Sequence, residues 1–247
     1  MSAYYLKRTL RDAHNIIRYG RNAPLGDGCL YIDPARITHA LYGVHNGKRI
    51  SFRQDSARVL GGDWDMADTL EDIEDLPKMK ACRLHFQQGH SWHEAGAYRP
   101  LMHRLRKEGT ADFCNSLDDI KRRYQKIDRL YKKIGKRRAM KTRQQLGYPA
   151  YWREFGGIFV HIARDGRGIM GGGGMHRLAI AKILELDVIP IRVGRVHEEA
   201  VKAGLIRKMR WRKLMRRRDV VQIPDEDRAE AQKNRRHGAR ITGSDAT

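Results

Sequence analysis

Cysteine is scarce in this chain: three among 247 residues, at Cys29, Cys82 and Cys114. Their irregular spacing excludes a disulfide framework and a cysteine-based zinc site, and a reducing, cytoplasmic setting is the expectation. Long apolar runs are missing too. No stretch approaches the roughly 18 residues that a membrane span needs. The opening MSAYYLKRTLRDAHNIIRYG lacks the apolar segment of a secretion signal, so no membrane partner is expected. Acidic residues are outnumbered, 29 Asp and Glu against 50 Lys and Arg, for a formal net charge of +21. A surface this basic attracts polyanions at low salt. Two catalytic patterns are also absent. The glycine run at 171–174 is not followed by the Lys-Ser/Thr of a Walker loop, and no Ser-His-Asp order is defensible.

What is present reads as a mixture of helices and short strands, and the 40% hydrophobic content suffices for one large domain or two small ones. Residues 4–19 carry Leu6, Leu10, Ala13 and Ile17 on one face of an amphipathic helix. A Gly/Pro loop at 22–28 leads to a strand, Cys29–Ile32, which Asp33-Pro34 stops. Ile50-Ser51-Phe52, after Asn46-Gly47, predicts another strand. Residues 76–88 and 92–108 read as helices. Ser116 is an N-cap, with Asp118 and Asp119 in the first turn, for a long basic helix reaching Thr142. Its apolar stripe is Ile127, Leu130, Tyr131 and Ile134. Beyond Gly147-Tyr148-Pro149 the elements shorten: a strand at Ile158–Ile162, a turn at Arg164-Asp165-Gly166, and a run from Gly168 to Met170. Glu198 to Arg218 reads as a further basic helix, and the polar stretch from Asp225 as a disordered tail.

The most informative stretch is residues 171–195, GGGGMHRLAIAKILELDVIPIRVGR. Four glycines run into Met175-His176-Arg177, a helical apolar pattern follows through Leu178, Ile180, Ala181 and Leu184, and a strand follows at Val188–Val193. A glycine turn lets backbone amides approach a ligand. The first amides of the helix lack partners, and its dipole favours negative charge. Arg177 adds a guanidinium suited to phosphate. This pattern predicts phosphate or nucleotide binding.

The residues Gly173-Gly174-Met175-His176-Arg177, then Ala179 to Lys182, then Ile189-Pro190-Ile191-Arg192-Val193 resemble the ParB/sulfiredoxin superfamily. That resemblance implies a small α/β domain binding nucleotide phosphates at the turn and helix start, as in CTP-binding partitioning proteins, ATP-dependent sulfiredoxins and a free-serine kinase. Further segments resemble uncharacterised proteins carrying this core. They are Pro34 to Ile37, Gly61 to Asp65, then His85, Phe86, Gly89 and Trp92, and Leu130 to Ile134. Two departures matter. Met175 stands where sulfiredoxins have their catalytic cysteine, and a thioether forms no thiolate, so sulfinic-acid reduction is excluded. The acidic residue usual just ahead of Gly-x-His-Arg is Gly172 or Gly173 here.

Other constellations widen the candidate list. Asp63 and Asp65 flank Trp64 in a glycine turn and share a face in an extended conformation, where they suit Mg²⁺ beside a nucleotide. Arg195 and His197 end the last strand. His85, His90, His93 and Glu94 do not fall on one helical face, so a metal site is not expected there. Residues 121–143 and 207–218 are about half or more basic, with Tyr124, Tyr131 and Trp211 among the charges.

The expected fold is therefore α+β. A small mixed-sheet, ParB/sulfiredoxin-like core at residues 151–198 carries a mostly helical N-terminal region (1–150) with short strands packed on it, a basic helix (199–223) and a disordered tail (224–247). Two readings of function follow. In the first, ATP or another nucleoside triphosphate binds with Mg²⁺ at Gly173, Gly174, Met175, His176, Arg177, Arg195 and His197. Asp63, Asp65 and His176 then serve catalysis of phosphotransfer or nucleotide hydrolysis. In the alternative, DNA or RNA is the partner, gripped through its phosphates by Lys132, Lys133, Lys136, Arg137, Arg138, Arg210, Arg212 and Arg216. Basic charges facing the glycine turn favour the first reading; a continuous outer stripe favours the second.

Overall fold

The computed structural model describes residues 3–41, 44–45, 48–49, 55–66, 70–147 and 153–211. Its strands are β1 (Cys29–Ile32), β2 (Ile37–Ala40), β3 (Val44–His45), β4 (Lys48–Arg49), β5 (Val59–Leu60), β6 (Glu71–Asp72), β7 (Ile158–Ile162), β8 (Gly168–Met170) and β9 (Ile189–His197). Every residue of β7 and β9 is buried, as expected of strands covered on both faces. These two pair in parallel, Ile158 opposite Ile191 and Ile162 opposite Val196, at the centre of an open seven-stranded mixed sheet of order β1-β9-β7-β8-β2-β6. β5 lies parallel to the far end of β9, and β3 with β4 forms a separate hairpin. β1, β2, β5 and β6 precede residue 150, so one sheet runs across the boundary expected between N-terminal region and core.

The helices are α1 (Ala3–Tyr19), α2 (Pro77–Gln88), α3 (Arg99–Glu108), α4 (Leu117–Arg137), α5 (Met175–Ile183), α6 (Glu198–Lys202) and α7 (Leu205–Met209). Ile158, Val160 and Ile162 of β7 join the main core with Leu178, Ile180 and Ala181 of α5, Met79 and Cys82 of α2, and Ile120, Tyr124, Ile127 and Ile134 of α4. Each large aliphatic side chain buried in this way contributes roughly 1.5–3 kcal/mol. The alternate residues Phe159 and His161 face a second, more polar layer. There Trp64 packs edge-on to His161 (6.1 Å between centroids) and lies 6.1 Å from His197.

The His85-Phe86-Trp92 segment buttresses α4. His85 stacks on Trp92 at 4.0 Å, and Phe86 stacks on Tyr131 of α4. His85 Nε2 and Trp92 Nε1 meet the same Asp128 oxygen at 3.0 and 2.9 Å. This motif is architecture.

Several expected boundaries shift. The helix expected over 92–108 begins only at Arg99, because Gly96 takes a positive φ of 74°. The long helix ends at Arg137 rather than Thr142. Arg138 turns left-handed (φ 51°) and returns its N–H to the Ile134 carbonyl at 2.8 Å. The single basic helix expected from Glu198 is broken into α6 and α7 by Ala203 and Gly204 (φ 70°). α1 forms where expected, but its apolar stripe faces outward: Leu6, Leu10 and Ile17 are 56%, 62% and 87% exposed. The strand expected at Ile50–Phe52, the basic residues Arg212 and Arg216, and the tail lie outside the described residues.

Candidate functional site

The glycine turn is pinned to β7. Gly171 donates to the Phe159 carbonyl at 2.8 Å, and the Gly173 carbonyl accepts from Phe159 N–H at 2.9 Å. Gly174 then takes φ 93° as the N-cap of α5, and a Cβ there would lie 2.8 Å from Ile158 Cα. Conformation and space both demand glycine at this point. The Gly174 carbonyl accepts from Arg177 and Leu178, both at 3.0 Å. No acceptor among the described residues meets the amides of Gly172, Gly173, Gly174, Met175 or His176. They form an anion-ready helix start.

His176 and Arg177 point different ways. The His176 ring packs edge-on to Tyr124 of α4, 5.7 Å between centroids. Burial first, then the charges of Lys78 and Arg123, hold it down to about 4, with Asp112 opposing, so it is neutral at pH 7. Met175 is in the core, 4% exposed. Arg177 reaches back to donate to the Gly156 carbonyl and lines a cleft between α4 and β7. Leu130, Ile134, Met140, Leu146 and Ile158 supply apolar wall, and Lys133, Arg137 and Lys141 supply charge. The cleft volume is about 580 Å³ counting its open mouth. Burial lowers the Arg177 guanidinium somewhat, with Glu154 opposing, yet an arginine stays charged.

Glu154 lines the same cleft and is 3% exposed. Its Oε2 accepts from Arg143 N–H at 2.9 Å, and no ion pair reaches it among the described residues. Burial pushes its carboxyl up against the lowering pull of that N–H and of Arg177 and Arg143. A buried carboxylate with a raised pKa beside a cation in a cleft is a candidate for proton transfer. Sequence reasoning missed it, along with Lys141. The available signal was an acid directly ahead of Phe155-Gly156-Gly157, a glycine pair leading into a strand.

The other expected site residues are engaged elsewhere. Asp65, fully buried, clamps Arg164, accepting its backbone N–H at 2.9 Å and its Nη2 at 2.8 Å, and Asp63 takes the same Nη2 at 2.7 Å. Burial raises the Asp65 carboxyl, but the hydrogen bonds and charge of Arg164 outweigh it, and the net shift is downward. Arg164, just past the Ile162 end of β7, thus occupies both carboxylates. Asp63 and Asp65 therefore do not fit as holders of Mg²⁺ at that turn. Arg195, 3% exposed, pairs with Asp55 at 2.8 Å. His197 receives Glu199 N–H on Nδ1 at 3.2 Å as the cap of α6 and donates Nε2–H to the Gly62 carbonyl at 2.8 Å. Neither reaches the cleft. Of the basic candidates, Lys133 and Arg137 line the cleft; Lys132, Lys136 and Arg138 are exposed on or just after α4. Arg210 donates to the Arg21 and Ala23 carbonyls, tying α7 to the end of α1. Among the described residues no group of three or more His, Cys, Asp or Glu side chains is placed to hold a metal ion, and no helix is long and apolar enough to cross a membrane.

No family, curated protein or solved structure matches this chain.

Proposed function

We propose that the cleft beside the glycine turn binds a phosphorylated small molecule, a nucleoside triphosphate in the first instance, and that the chain carries a ParB/sulfiredoxin-like phosphate site. The observation that carries this reading is the convergence of Arg177 with Lys133, Arg137 and Lys141 over an apolar wall. Cations at the mouth neutralise phosphate oxygens, and the aliphatic wall takes an apolar or aromatic moiety. The open amides at the start of α5, one turn from Arg177, would supply a second anion contact.

For phosphoryl transfer, Glu154 accepts the proton of an attacking hydroxyl as its oxygen bonds to phosphorus. The leaving phosphate keeps the electrons of the broken P–O bond, and Arg177 stabilises the charge that develops. His176 does not serve this step, since its ring packs against Tyr124.

Calorimetric titration of nucleic-acid-free protein with ATP, CTP and GTP, each with Mg²⁺, tests the reading. One nucleotide is expected to bind at micromolar affinity. Arg177→Ala should lower that affinity at least tenfold, and Arg177→Lys by less, with thermal midpoints near wild type. Glu154→Gln should keep binding and lose turnover. Equal affinity in wild type and Arg177→Ala, or no binding of any nucleotide, sinks the proposal.

A further inference from the structure

Phe113 sits at a backbone position its side chain disfavours, and it gains no packing there. Ala111 and Cys114 close a two-residue hairpin turn through reciprocal N–H to carbonyl bonds of 2.9 Å. The residues between them, Asp112 and Phe113, have φ of 49° and 66°. That left-handed pair belongs to a type I′ turn, which Gly and Asn adopt readily and a bulky ring does not. The turn is held through Asp112. Its carboxylate takes Arg104 at 2.6 Å and Arg123 at 3.4 Å, and its carbonyl takes Arg123 at 3.0 Å. Phe113 itself is 99% exposed. Neither burial nor backbone preference accounts for a phenyl ring here; a braced turn holds it out into solvent.

What surrounds the ring carries more positive than negative charge. Phe113, Arg122, Arg123 and Lys126 line one groove, whose carboxylates Asp112 and Asp119 are already engaged by Arg104, Arg123 and Arg122. From this groove a ridge runs along α4. Lys126, Arg129, Lys133 and Lys136 recur at spacings of three and four residues, on one helical face, with Lys132 and Arg137 beside them. All are exposed, and none makes an ion pair among the described residues, whereas Asp118, Asp119 and Asp128 of the same helix are each engaged. From Lys126 to Arg137 the ridge extends about 16 Å at ~1.5 Å per residue.

We propose that this tip and ridge bind single-stranded nucleic acid, with phosphates along Lys126, Arg129 and Lys136 and one base stacked on Phe113. A cationic track with an aromatic platform suits single strands, whose base faces are open, and reads no particular sequence. A duplex keeps those faces stacked away from the ring. This site stands apart from the nucleotide cleft except at Lys133 and Arg137, so its test uses other residues.

The experiment is fluorescence anisotropy of labelled oligo-dT and oligo-rU, an abasic oligomer of equal length and a duplex, over a salt series around 0.15 M. Wild type is expected to favour the single strands over the duplex. Phe113→Ala should lose roughly tenfold in affinity for dT and rU, leave abasic binding unchanged and keep the salt slope. Phe113→Trp should retain affinity. Phe113→Gly, which relieves the left-handed backbone, should lose it as Ala does, which separates loss of the ring from loss of the fold. Lys126→Ala with Arg129→Ala should weaken base-bearing and abasic strands alike and flatten the salt slope by about 1.4, at ~0.7 per phosphate. Arg177→Ala should change none of these. The proposal is overturned if Phe113→Ala binds dT as wild type does, if its loss is equal on the abasic strand, or if wild type prefers the duplex.

Discussion

α1 and α4 carry the same kind of sequence pattern and are used in opposite senses. Both are amphipathic. α4 turns its apolar stripe inward, burying Ile120, Tyr124, Ile127 and Ile134 against the core. α1 turns Leu6, Leu10 and Ile17 out and its polar residues in. Asn15, 2% exposed, donates to the carbonyls of Pro24 and Ala57 at 2.9 Å each. Asp12 accepts from Gly26 N–H at 2.6 Å, and Arg11 donates to the Ser56 carbonyl. Tyr4 and Arg8 reach the fully buried Asp27, which also takes Arg192 at 2.6 Å. The difference lies in what each helix rests on. α4 rests on side chains of other elements. α1 rests on loop backbone at 23–28 and 55–57, where the carbonyls of Pro24, Ser56 and Ala57 and the N–H of Gly26 take their partners from the helix and need polar ones once covered. An apolar stripe cannot supply them.

The largest effect that separates the two helices is truncation of their aliphatic residues. Ile120→Ala in α4 should cost about 2–5 kcal/mol, while Leu10→Ala in α1 should stay within about 0.5 kcal/mol, both by urea denaturation. Comparable losses would mean that the α1 stripe is covered in solution.

Acid comes next, because the α4 contact face includes His176 against Tyr124. Its folded pKa, about 4, lies below the unfolded 6.5. The contribution is therefore complete above pH 6.5 and is lost as pH falls toward 4, up to about 3 kcal/mol. Buried His161, held down to about 3 by burial and Arg195, adds in the same direction. His176→Gln should lower the slope of stability between pH 6.5 and 4, leaving the part that His161 carries. A slope equal to wild type in that window would remove His176 from the account.

Asn15→Ala should cost about 1–3 kcal/mol by leaving two buried carbonyls without donors, and Asn15→Leu should not recover it. A stabilising Asn15→Leu would show that α1 rests on an apolar surface after all.

The smallest contrast is at the helix start. Ser116 accepts from Asp119 N–H at 3.1 Å, so Ser116→Ala should cost about 1 kcal/mol. Thr9→Ala, on the outer side of α1, should change the thermal midpoint little.

The site was legible in part. The glycine run announced a tight turn into a helix start with open amides, because glycine at such a turn is a local requirement. The divergence of His176 and Arg177 follows from neighbours far away in sequence: Tyr124 claims one side chain and the Gly156 carbonyl the other. Asp63 and Asp65 look like metal ligands until Arg164, about a hundred residues on, fills them. Glu154 gains its interest only from burial, which a lone acid ahead of two glycines does not advertise.

By itself the sequence determined which segments become helices and strands wherever periodicity, caps and β-branched runs act locally: α4 with its Ser116 cap, β7, and the order β7, β8, α5, β9. It also determined the excess of positive charge. The tertiary structure alone decided which face of α1 turns inward, that β1, β2, β5 and β6 join one sheet with the later strands, and which charged groups remain free to meet a ligand. The physical reason is common to all three. Local pattern sets what a segment can present, but whether a face is buried, and whether a charge is already neutralised, depends on the partner brought against it, and that partner lies elsewhere in the chain.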